Sequence, residues 1–239
     1  MIKIDNYEVM GWEHAIRGMR NPLNSWSKSD SFKHICKTDN CEKCCQTVEC
    51  CRAEKTQGLL IGDNDLELMR KLVEAGPDHS KFMRMITVYV TITAPLYFYK
   101  EWDTYKVGTV ANSCSTMHSI HKKEFSIEDF SCEHLINQYH NKDNDLNIIW
   151  KTSLKNTIWY LNTARNAYLK TKDKIYWWQM IQLLPSSYNQ KRTIQLNYAV
   201  LRNMYHSRKN HKLDEWRDFC RWIETLPHSE LITSKKDGE

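Results

Sequence analysis

A short polar run near the middle of the chain carries the densest set of reactive side chains. The run NSCSTMH, from Asn112 to His118, contains an amide, hydroxyls, a thiol and an imidazole. Cys114 and His118 stand at an i,i+4 offset, which on a helix would allow a thiolate and imidazolium pair and hence a nucleophile. A structural cysteine beside an unrelated histidine is the commoner arrangement, and His118 with His121 offers only two ligands to a metal. The sequence therefore leaves the catalytic residue unknown.

A second reactive cluster consists of six cysteines between residues 36 and 51. Those with the best ligand spacing are Cys36, Cys41, Cys44 and Cys45. Short turns between them could aim several sulfurs at one ion, and the spacing suits zinc better than an iron–sulfur cluster. Because the run is not a clean pair of C-x2-C knuckles, free thiols or disulfides in a surface insertion remain the alternative. We predict an insertion at about residues 31–58 that binds zinc through these four cysteines.

The polar run must be positioned by the strand that precedes it. From Ile86 to Thr93 apolar side chains alternate with hydroxyl-bearing ones, which predicts a strand with one apolar face. Pro95 cannot donate to a strand ladder and ends it. Before the strand, apolar residues at helical spacing predict a helix over Asp63 to Glu74. An Asp or Asn is available as its N-cap, and Gly76 and Pro77 terminate it.

The remaining elements are mostly helical in pattern. A strand-like opening leads to a short helix from Trp12 to Met19, and a polar segment at 126–147 begins with a capped helix. A broad apolar stripe predicts helix from Leu146 to Tyr176. A helix is predicted from Asp214 to Leu226. If residues 189–208 form one helix as well, Asn197, Leu201, Met204 and Arg208 lie on one face of it. The fold class predicted is α+β, helices packed on a small, mostly antiparallel sheet, as one domain over 1–239 with a loose tail at about 228–239.

Composition excludes several classes of protein. The 239 residues are 41% hydrophobic and 26% charged, which is ordinary for a globular chain. No signal peptide and no apolar run of membrane-spanning length is present, so we expect a cytoplasmic protein without a membrane partner. With seven glycines there is no G-x-G-x-x-G and no Walker A motif. The net charge of +5 permits a polyanionic partner without requiring one.

Two motifs resemble those of the flavin-dependent thymidylate synthases of the ThyX type. The segment PLYFYKEWDTYKVGTVANSCS is similar to the family pattern P-[IL]-[FY]-V-x-R-Q-W-x-R-H-R-x-x-S-x-N-E-x-S. Pro95, Trp102, Asn112 and Ser115 match directly, the last two after one extra residue. The second motif lies downstream and begins at Leu184-Pro185. Three residues after it match the family's residue types at the family's spacing without any gap. Those three are Asn197, Arg208 and His211.

The resemblance implies a function, a cofactor and a set of site residues. It implies an enzyme that binds FAD and a dUMP-like nucleotide and transfers a one-carbon unit to pyrimidine C5, using a reduced nicotinamide and a folate. It further implies a homotetramer. The nucleotide would contact Arg208, Asn112, Ser115 and Glu101. The cofactor would lie near His79, Lys106, Thr109, Asn197 and His211.

The departures from the family pattern concern charged contacts. Thr104-Tyr105-Lys106 stands where the family has R-H-R, and Glu101 replaces a glutamine. Ser113 and Ile181 replace a glutamate and an arginine. Since each charge-assisted contact is worth about 1.5–3 kcal/mol, either the ligand differs or its charge is met elsewhere.

Two alternative functions follow from the sequence. The first is a non-catalytic protein of the same fold that binds or sequesters a nucleotide without flavin chemistry. The second is a nucleic-acid-binding protein, suggested by basic and aromatic residues near the second motif. These residues are Lys191, Arg192, Arg202, Arg208, Lys209 and Lys212 with Tyr188, Tyr198 and Tyr205.

Overall fold

The computed structural model describes residues 2–33, 56, 58–136, 139–141, 146–148 and 150–235. The helices are α1 (Trp12–Arg20), α2 (Asp63–Glu74), α3 (Leu96–Trp102), α4 (Trp150–Thr171), α5 (Lys174–Leu183), α6 (Tyr198–Arg208), α7 (Asp214–Ile223) and α8 (Glu230–Thr233). The strands are β1 (Lys3–Met10), β2 (Phe32–Lys33), β3 (Leu59–Leu60), β4 (Thr87–Pro95), β5 (Val110–Ser113), β6 (Tyr139–Asn141), β7 (Leu146–Ile148) and β8 (Asn189–Asn197).

Four strands form one sheet in the order β1-β4-β8-β5. Strands β4 and β8 are antiparallel, because Leu96 N donates to Tyr188 O at one end while Tyr198 N donates to Ile86 O at the other. The hydroxyls of Thr91 and Thr193, midway along this pair, lie 3.1 Å apart. Two short antiparallel ladders, β2–β3 and β6–β7, stand apart from this sheet. The predicted α+β class with a small antiparallel sheet is confirmed.

Strand β4 follows its sequence pattern closely. Val88, Val90 and Ile92 are fully buried, whereas Tyr89 and the threonines between them are exposed or half-buried. The period of two places every branched apolar side chain on the core face of the sheet. Pro95 is the last residue of the strand and precedes α3 directly, as a residue without a backbone N–H requires.

Helix α2 has the predicted bounds but a different cap. Asp63 or an asparagine within the helix was expected to cap it; instead the carboxylate of Asp30 accepts from Asn64 N at 2.9 Å and from Asp65 N at 3.1 Å. Gly62 allows this close approach, since a Cβ there would lie 2.2 Å from Asp30 Cγ. A carboxylate at a helix N-terminus satisfies free N–H groups and favours the helix dipole.

The single helix predicted from Leu146 to Tyr176 is wrong. Strand β7 occupies residues 146–148, and the helical region breaks at Lys172, whose φ is 59°. Asp173 then caps α5, its Oδ1 accepting from Ile175 N at 3.0 Å. The apolar stripe continues across the break, so periodicity alone could not reveal it. Likewise, the capped helix expected from residue 126 is a single 3-10 turn with a Ser126 and Asp129 capping box.

The helix considered over 189–208 is also wrong in its first half. Residues 189–197 form β8, and α6 begins only at Tyr198. Gln190, Ile194 and Leu196 are buried at alternate positions, which is the periodicity of a strand. Polar residues between them obscured this alternation in the sequence.

The chain divides into two compact units. The large unit comprises residues 4–91, 105–111 and 193–239, and the small unit comprises residues 1–3, 92–104 and 112–192. Fully buried side chains of the large unit include Trp12, Met69, Ile86, Leu201, Met204, Trp216 and Phe219. The core of the small unit contains Ile120, Phe125, Phe130, Leu154, Leu161, Ala164 and Met180. That residues 1–239 behave as one domain stays a prediction.

The loose tail expected from about residue 228 is wrong as far as Lys235. Residues 230–233 form α8, and Leu231 and Ile232 are buried. The Arg202 guanidinium donates to the carbonyls of Leu231, Ile232 and Ser234 at 2.9–3.2 Å. One arginine therefore fixes this segment by hydrogen bonds to backbone oxygens. In the part of the chain described, no helix has the length and apolar content to cross a bilayer.

Candidate functional site

Helix α6 carries two of the predicted site residues, one at each end. Asn197 caps the helix, its Oδ1 accepting from Val200 N at 3.1 Å. Arg208 is the last helical residue, about 16 Å further along at 1.5 Å per residue. The predicted common face is real, since Leu201 and Met204 between them are fully buried. Asn197 therefore has a structural task at the start of the helix, far from Arg208.

Arg208 is held in place by two aromatic residues of the large unit. Its Nε donates to the hydroxyl of Tyr105 at 2.9 Å. Its Cζ lies 5.0 Å from the ring centroid of Trp216 and 5.6 Å from that of Tyr105, which are cation–π distances. A guanidinium fixed in this way loses little entropy when it binds a ligand.

His211 lies one turn beyond Arg208. Its Nδ1 accepts from Leu213 N at 3.2 Å, and its ring faces that of Trp216 at 6.4 Å. The backbone N of His211 donates to Arg208 O at 2.9 Å. The imidazole thus shapes the turn after α6 and lies against the same tryptophan as Arg208.

The loop from Tyr105 to Thr109 contributes the other residues of this group. Thr109 Oγ1 donates to Tyr105 O at 2.6 Å, which closes the loop on itself. Lys106 is exposed at its tip. His79, predicted to lie near the cofactor, is exposed in the turn that follows α2. The structure therefore brings Tyr105, Arg208 and His211 together around Trp216.

Gly108 gives the first testable expectation. Its φ is +80°, and a Cβ would lie 2.9 Å from Val200 Cγ2 and 3.3 Å from Asn197 Nδ2. Gly108→Ala should lower the free energy of unfolding by more than about 1–2 kcal/mol, because it adds the contact with Val200 to the cost of a left-handed backbone for a residue with a side chain. Urea unfolding of the variant measures this, with Gly76→Ala as control, because Gly76 also has a positive φ but has open space around it. A loss no greater than that of the control would mean that the close contact with α6 contributes nothing.

Three nucleotide-binding candidates lie in the small unit. Glu101 is in the last turn of α3, where its carbonyl accepts from Thr104 Oγ1 at 2.7 Å. Asn112 is exposed on β5. Ser115 Oγ accepts from His118 N at 2.8 Å and from Met117 N at 3.2 Å, so its hydroxyl caps a turn.

The nucleophile geometry considered for Cys114 is wrong. Residues 114–118 form no helix, so the i,i+4 offset does not bring the thiol to the imidazole of His118. His118 and His121 form no metal site, since no group of three or more candidate ligands occurs among the described residues. Cys36, Cys41, Cys44 and Cys45 lie outside the described residues.

Arg192, which the sequence offered only as part of a basic surface, has a positioning role that the sequence did not reveal. It belongs to β8, its Nε donates to Gln190 Oε1 at 2.9 Å, and its NH1 donates to Asp103 at 2.7 Å. Its guanidinium carbon lies 3.8 Å from the ring centroid of Tyr99. Burial raises the pKa of Tyr99, which stays a neutral partner below that cation. Had β8 been recognised as a strand, its alternation would have placed Arg192 on the apolar face of Ile194.

Arg192 helps to position the segment that carries Asn112 and Ser115. Gln190 Nε2 donates to Cys114 O at 2.8 Å, and Gln190 is itself oriented by Arg192. We expect Arg192→Met to lower the free energy of unfolding by about 1.5–3 kcal/mol, because it removes charge-assisted hydrogen bonds. Chemical denaturation measures this. The exposed neighbour Lys191→Met should change stability by less than about 0.5 kcal/mol, and equal effects of the two variants would contradict the positioning role.

Several of the basic and aromatic residues considered for nucleic-acid binding near the second motif are engaged within the fold. Arg202 binds the backbone of the C-terminal segment, and Arg192 pairs with Asp103. Tyr198 is fully buried, and its hydroxyl donates to Pro227 O. Tyr205 donates to Glu224 at 2.8 Å. These contacts disfavour that alternative for this segment.

Comparison with solved structures identifies the fold. A crystal structure of the flavin-dependent thymidylate synthase ThyX from Helicobacter pylori, complexed with FAD and dUMP, superposes with a TM-score of 0.60 at 17% identity and covers 97% of both chains. A second structure of that enzyme with FAD and dUMP gives 0.60 at 16% identity over 97% and 96%. No protein-family profile and no curated protein matches the sequence. The chain has the ThyX fold.

Proposed function

We propose that this protein binds a pyrimidine nucleotide of the dUMP class together with FAD, and modifies pyrimidine C5 as a thymidylate synthase-like enzyme. The Helicobacter pylori ThyX structures that share its fold over nearly their whole length contain FAD and dUMP. The fold alone does not carry the proposal, because one fold hosts many functions. It needs support from the site.

That support is the hydrogen bond between Tyr105 and Arg208. The two residues come from separate sequence motifs, 103 positions apart, yet their side chains meet at 2.9 Å. The arginine is the residue that the family resemblance assigns to the substrate. Planar, fixed guanidinium donors match a pyrimidine carbonyl or a phosphate.

The side chains assigned to the cofactor fit a flavin nucleotide in their chemistry. Lys106 is an exposed cation that suits a pyrophosphate, and His79 adds an exposed imidazole. FAD, when bound, would take two electrons from the reduced nicotinamide and pass them to the transferred one-carbon unit. Asn112, Ser115, Glu101, Thr109, Asn197 and His211 stay predicted contacts.

A nucleotide-binding protein without flavin chemistry is the second candidate. It is favoured by Tyr105, which occupies the position of the histidine in the family's R-H-R and offers no positive charge to a phosphate. The lysine that follows is the one cation left of that triplet. A lower positive charge at this loop weakens the binding of a pyrophosphate more than that of a neutral pyrimidine ring.

Two measurements on the purified full-length chain separate the candidates. A yellow protein, or one that becomes yellow after incubation with FAD and gel filtration, supports the enzyme. Colourless protein that still binds dUMP in calorimetry supports the second candidate. Protein that binds neither would overturn both.

The other predictions from the resemblance can be tested on the same material. Sedimentation measures whether the protein is a tetramer. Metal analysis of protein purified without chelator tests the zinc prediction at the four cysteines, and less than one zinc in ten chains would end it. Oxidation of a reduced nicotinamide in the presence of a folate and dUMP tests the reaction itself.

A further inference from the structure

Helices α4 and α5 of the small unit carry an unusual charge distribution. Between residues 150 and 183 lie six of the chain's 34 lysines and arginines but only one of its 29 acidic residues, which leaves 28 of each sign for the rest. The whole net charge of +5 therefore resides in this helical hairpin. The cations are Lys151, Lys155, Arg165, Lys170, Lys172 and Lys174. The single carboxylate, Asp173, is occupied as the cap of α5.

Part of this charge lies on one exposed stripe of α4. Lys151, Lys155, Trp159 and Lys170 fall within about a third of the helix circumference at 3.6 residues per turn, and we call them the α4 stripe. All four are exposed, Trp159 by 62%. The ring of Tyr160 adjoins that of Trp159 at 4.9 Å. Across the described residues, none of the three lysines forms an ion pair.

The fold gains nothing from Lys151, Lys155 and Trp159. Lys151 lies in the first turn of α4, where a cation opposes the helix dipole. Lys151 and Lys155 repel each other at an i,i+4 spacing, and α4 contains no acidic residue that could offset them. Trp159 leaves most of a large apolar ring in water. Lys151, Lys155 and Trp159 are each unfavourable for the isolated chain, whereas Lys170 in the last turn suits the helix dipole. The three unfavourable residues become favourable together against a polyanion with exposed rings.

We propose that the α4 stripe binds single-stranded nucleic acid. Lysines that follow the phosphates and an exposed aromatic ring that stacks on an unpaired base are the two elements of sequence-independent single-strand binding. The stripe is about 28 Å long at 1.5 Å per residue, which corresponds to about eight phosphates of a stacked strand at 3.4 Å each. Tyr160 extends the aromatic platform beside Trp159.

Other occupants fit this surface less well. A second copy of the same stripe would bring like charges together, which disfavours a symmetric contact. A membrane needs a broad apolar face, but the exposed apolar residues of α4, which are Trp159, Tyr160 and Leu169, stand among lysines. Leu154, Leu161 and Ala164 of the same helix are buried in the core. Paired bases in a duplex offer no face on which Trp159 could stack.

The experiment uses the full chain and a fluorescein-labelled dT20 oligonucleotide, followed by anisotropy. Raising the salt from 50 to 200 mM should weaken binding about 20-fold if three lysines contact phosphates. In Lys151→Glu/Lys155→Glu the affinity should fall at least about tenfold, and the same salt change should weaken it only about threefold. Trp159→Ala should lower the affinity about tenfold through lost stacking.

A matched control and a fold check separate binding from stability. Lys28→Glu/Lys122→Glu makes the same charge change at exposed sites outside the hairpin, and this variant should keep most of the wild-type affinity for the oligonucleotide. Glutamate at position 151 is favoured by the helix dipole, so circular dichroism should show an intact fold. The proposal is overturned if the stripe variant and the control lose affinity equally, or if a duplex of the same length binds as well. It is also overturned if the wild-type protein binds no oligonucleotide. Binding to anionic vesicles alone would then point to a membrane, and dissociation of an oligomer in the stripe variants would point to a contact between copies of the chain.

Discussion

Arg208→Ala is expected to lower the affinity for dUMP about 10- to 100-fold, since it removes a charge-assisted contact worth about 1.5–3 kcal/mol. The effect should exceed that of a flexible arginine, because Tyr105 and Trp216 hold the guanidinium in one orientation before the ligand arrives. Isothermal calorimetry of the purified chain with dUMP and with deoxyuridine measures both affinities. An equal loss for the two ligands would place Arg208 at the pyrimidine, and a loss for dUMP alone would place it at the phosphate.

Two further variants test the reason for this effect. Tyr105→Phe removes the hydroxyl that accepts from Arg208 but keeps both rings, so it should cause a smaller loss of affinity than Arg208→Ala. Lys212→Ala removes an exposed cation close to Arg208 in the chain and should leave the affinity nearly unchanged. If Lys212→Ala lowered the affinity for dUMP as much as Arg208→Ala does, the effect would be one of general electrostatics, and Arg208 would make no specific contact.

Asp65→Ala should destabilise the protein by about 3–5 kcal/mol, the cost of leaving a buried charge without its partner. Asp65 is fully buried in α2, and its Oδ1 accepts from Arg20 Nε at 2.6 Å. Its Oδ2 accepts from the hydroxyls of Ser29 and Ser31 at 2.7 and 2.6 Å. Arg20 is 3% exposed and would keep its charge in the variant. Urea unfolding measures the loss.

The double variant Arg20→Met/Asp65→Leu provides the control. It removes both charges, so it should be less destabilised than Asp65→Ala although it changes more atoms. If the double variant were less stable than Asp65→Ala, packing around α2, and not the unpaired guanidinium, would determine the loss of stability.

Acid should weaken the same cluster. Burial by itself would raise the pKa of Asp65, but the hydrogen bonds from Ser31, Ser29 and Arg20 outweigh it and hold the pKa below its usual range. The stabilisation is therefore fully present above the unfolded-state pKa of about 3.9 and is lost as the pH falls through the lower folded-state value. The stability difference between wild type and Asp65→Asn should accordingly shrink below about pH 4.

Local pattern predicted much of the fold. Strand β4 and helix α2 were predictable because each has one period, one apolar face and a clear terminator. Strand β8 was not predictable, because charged and amide residues interrupt its alternation. Its preference for a strand comes from pairing with β4. The break at Lys172 escaped for a related reason, since the apolar stripe continues into α5.

The candidate site was predictable only where a motif named its residues. Arg208 was found by spacing, but its partners Tyr105 and Trp216 come from distant parts of the sequence and could not be deduced from it. The positioning role of Arg192 was missed because it depends on Tyr99 and Asp103, which the fold brings to it. Contacts of high sequence separation follow from packing, and a single sequence does not record them.

The cap that Asp30 provides to α2 has a consequence for the evolution of this chain. Asp30 precedes the predicted insertion, and β2 and β3 pair Lys33 with Leu59 as Cα partners near its two ends. The backbone is thus anchored before and after the inserted sequence, and loop-closure entropy changes by only about 0.6 kcal/mol for each doubling of length. We therefore expect the length of the chain between these anchors to be changeable at little cost to the rest of the fold, which makes the position a candidate graft point for a foreign binding loop.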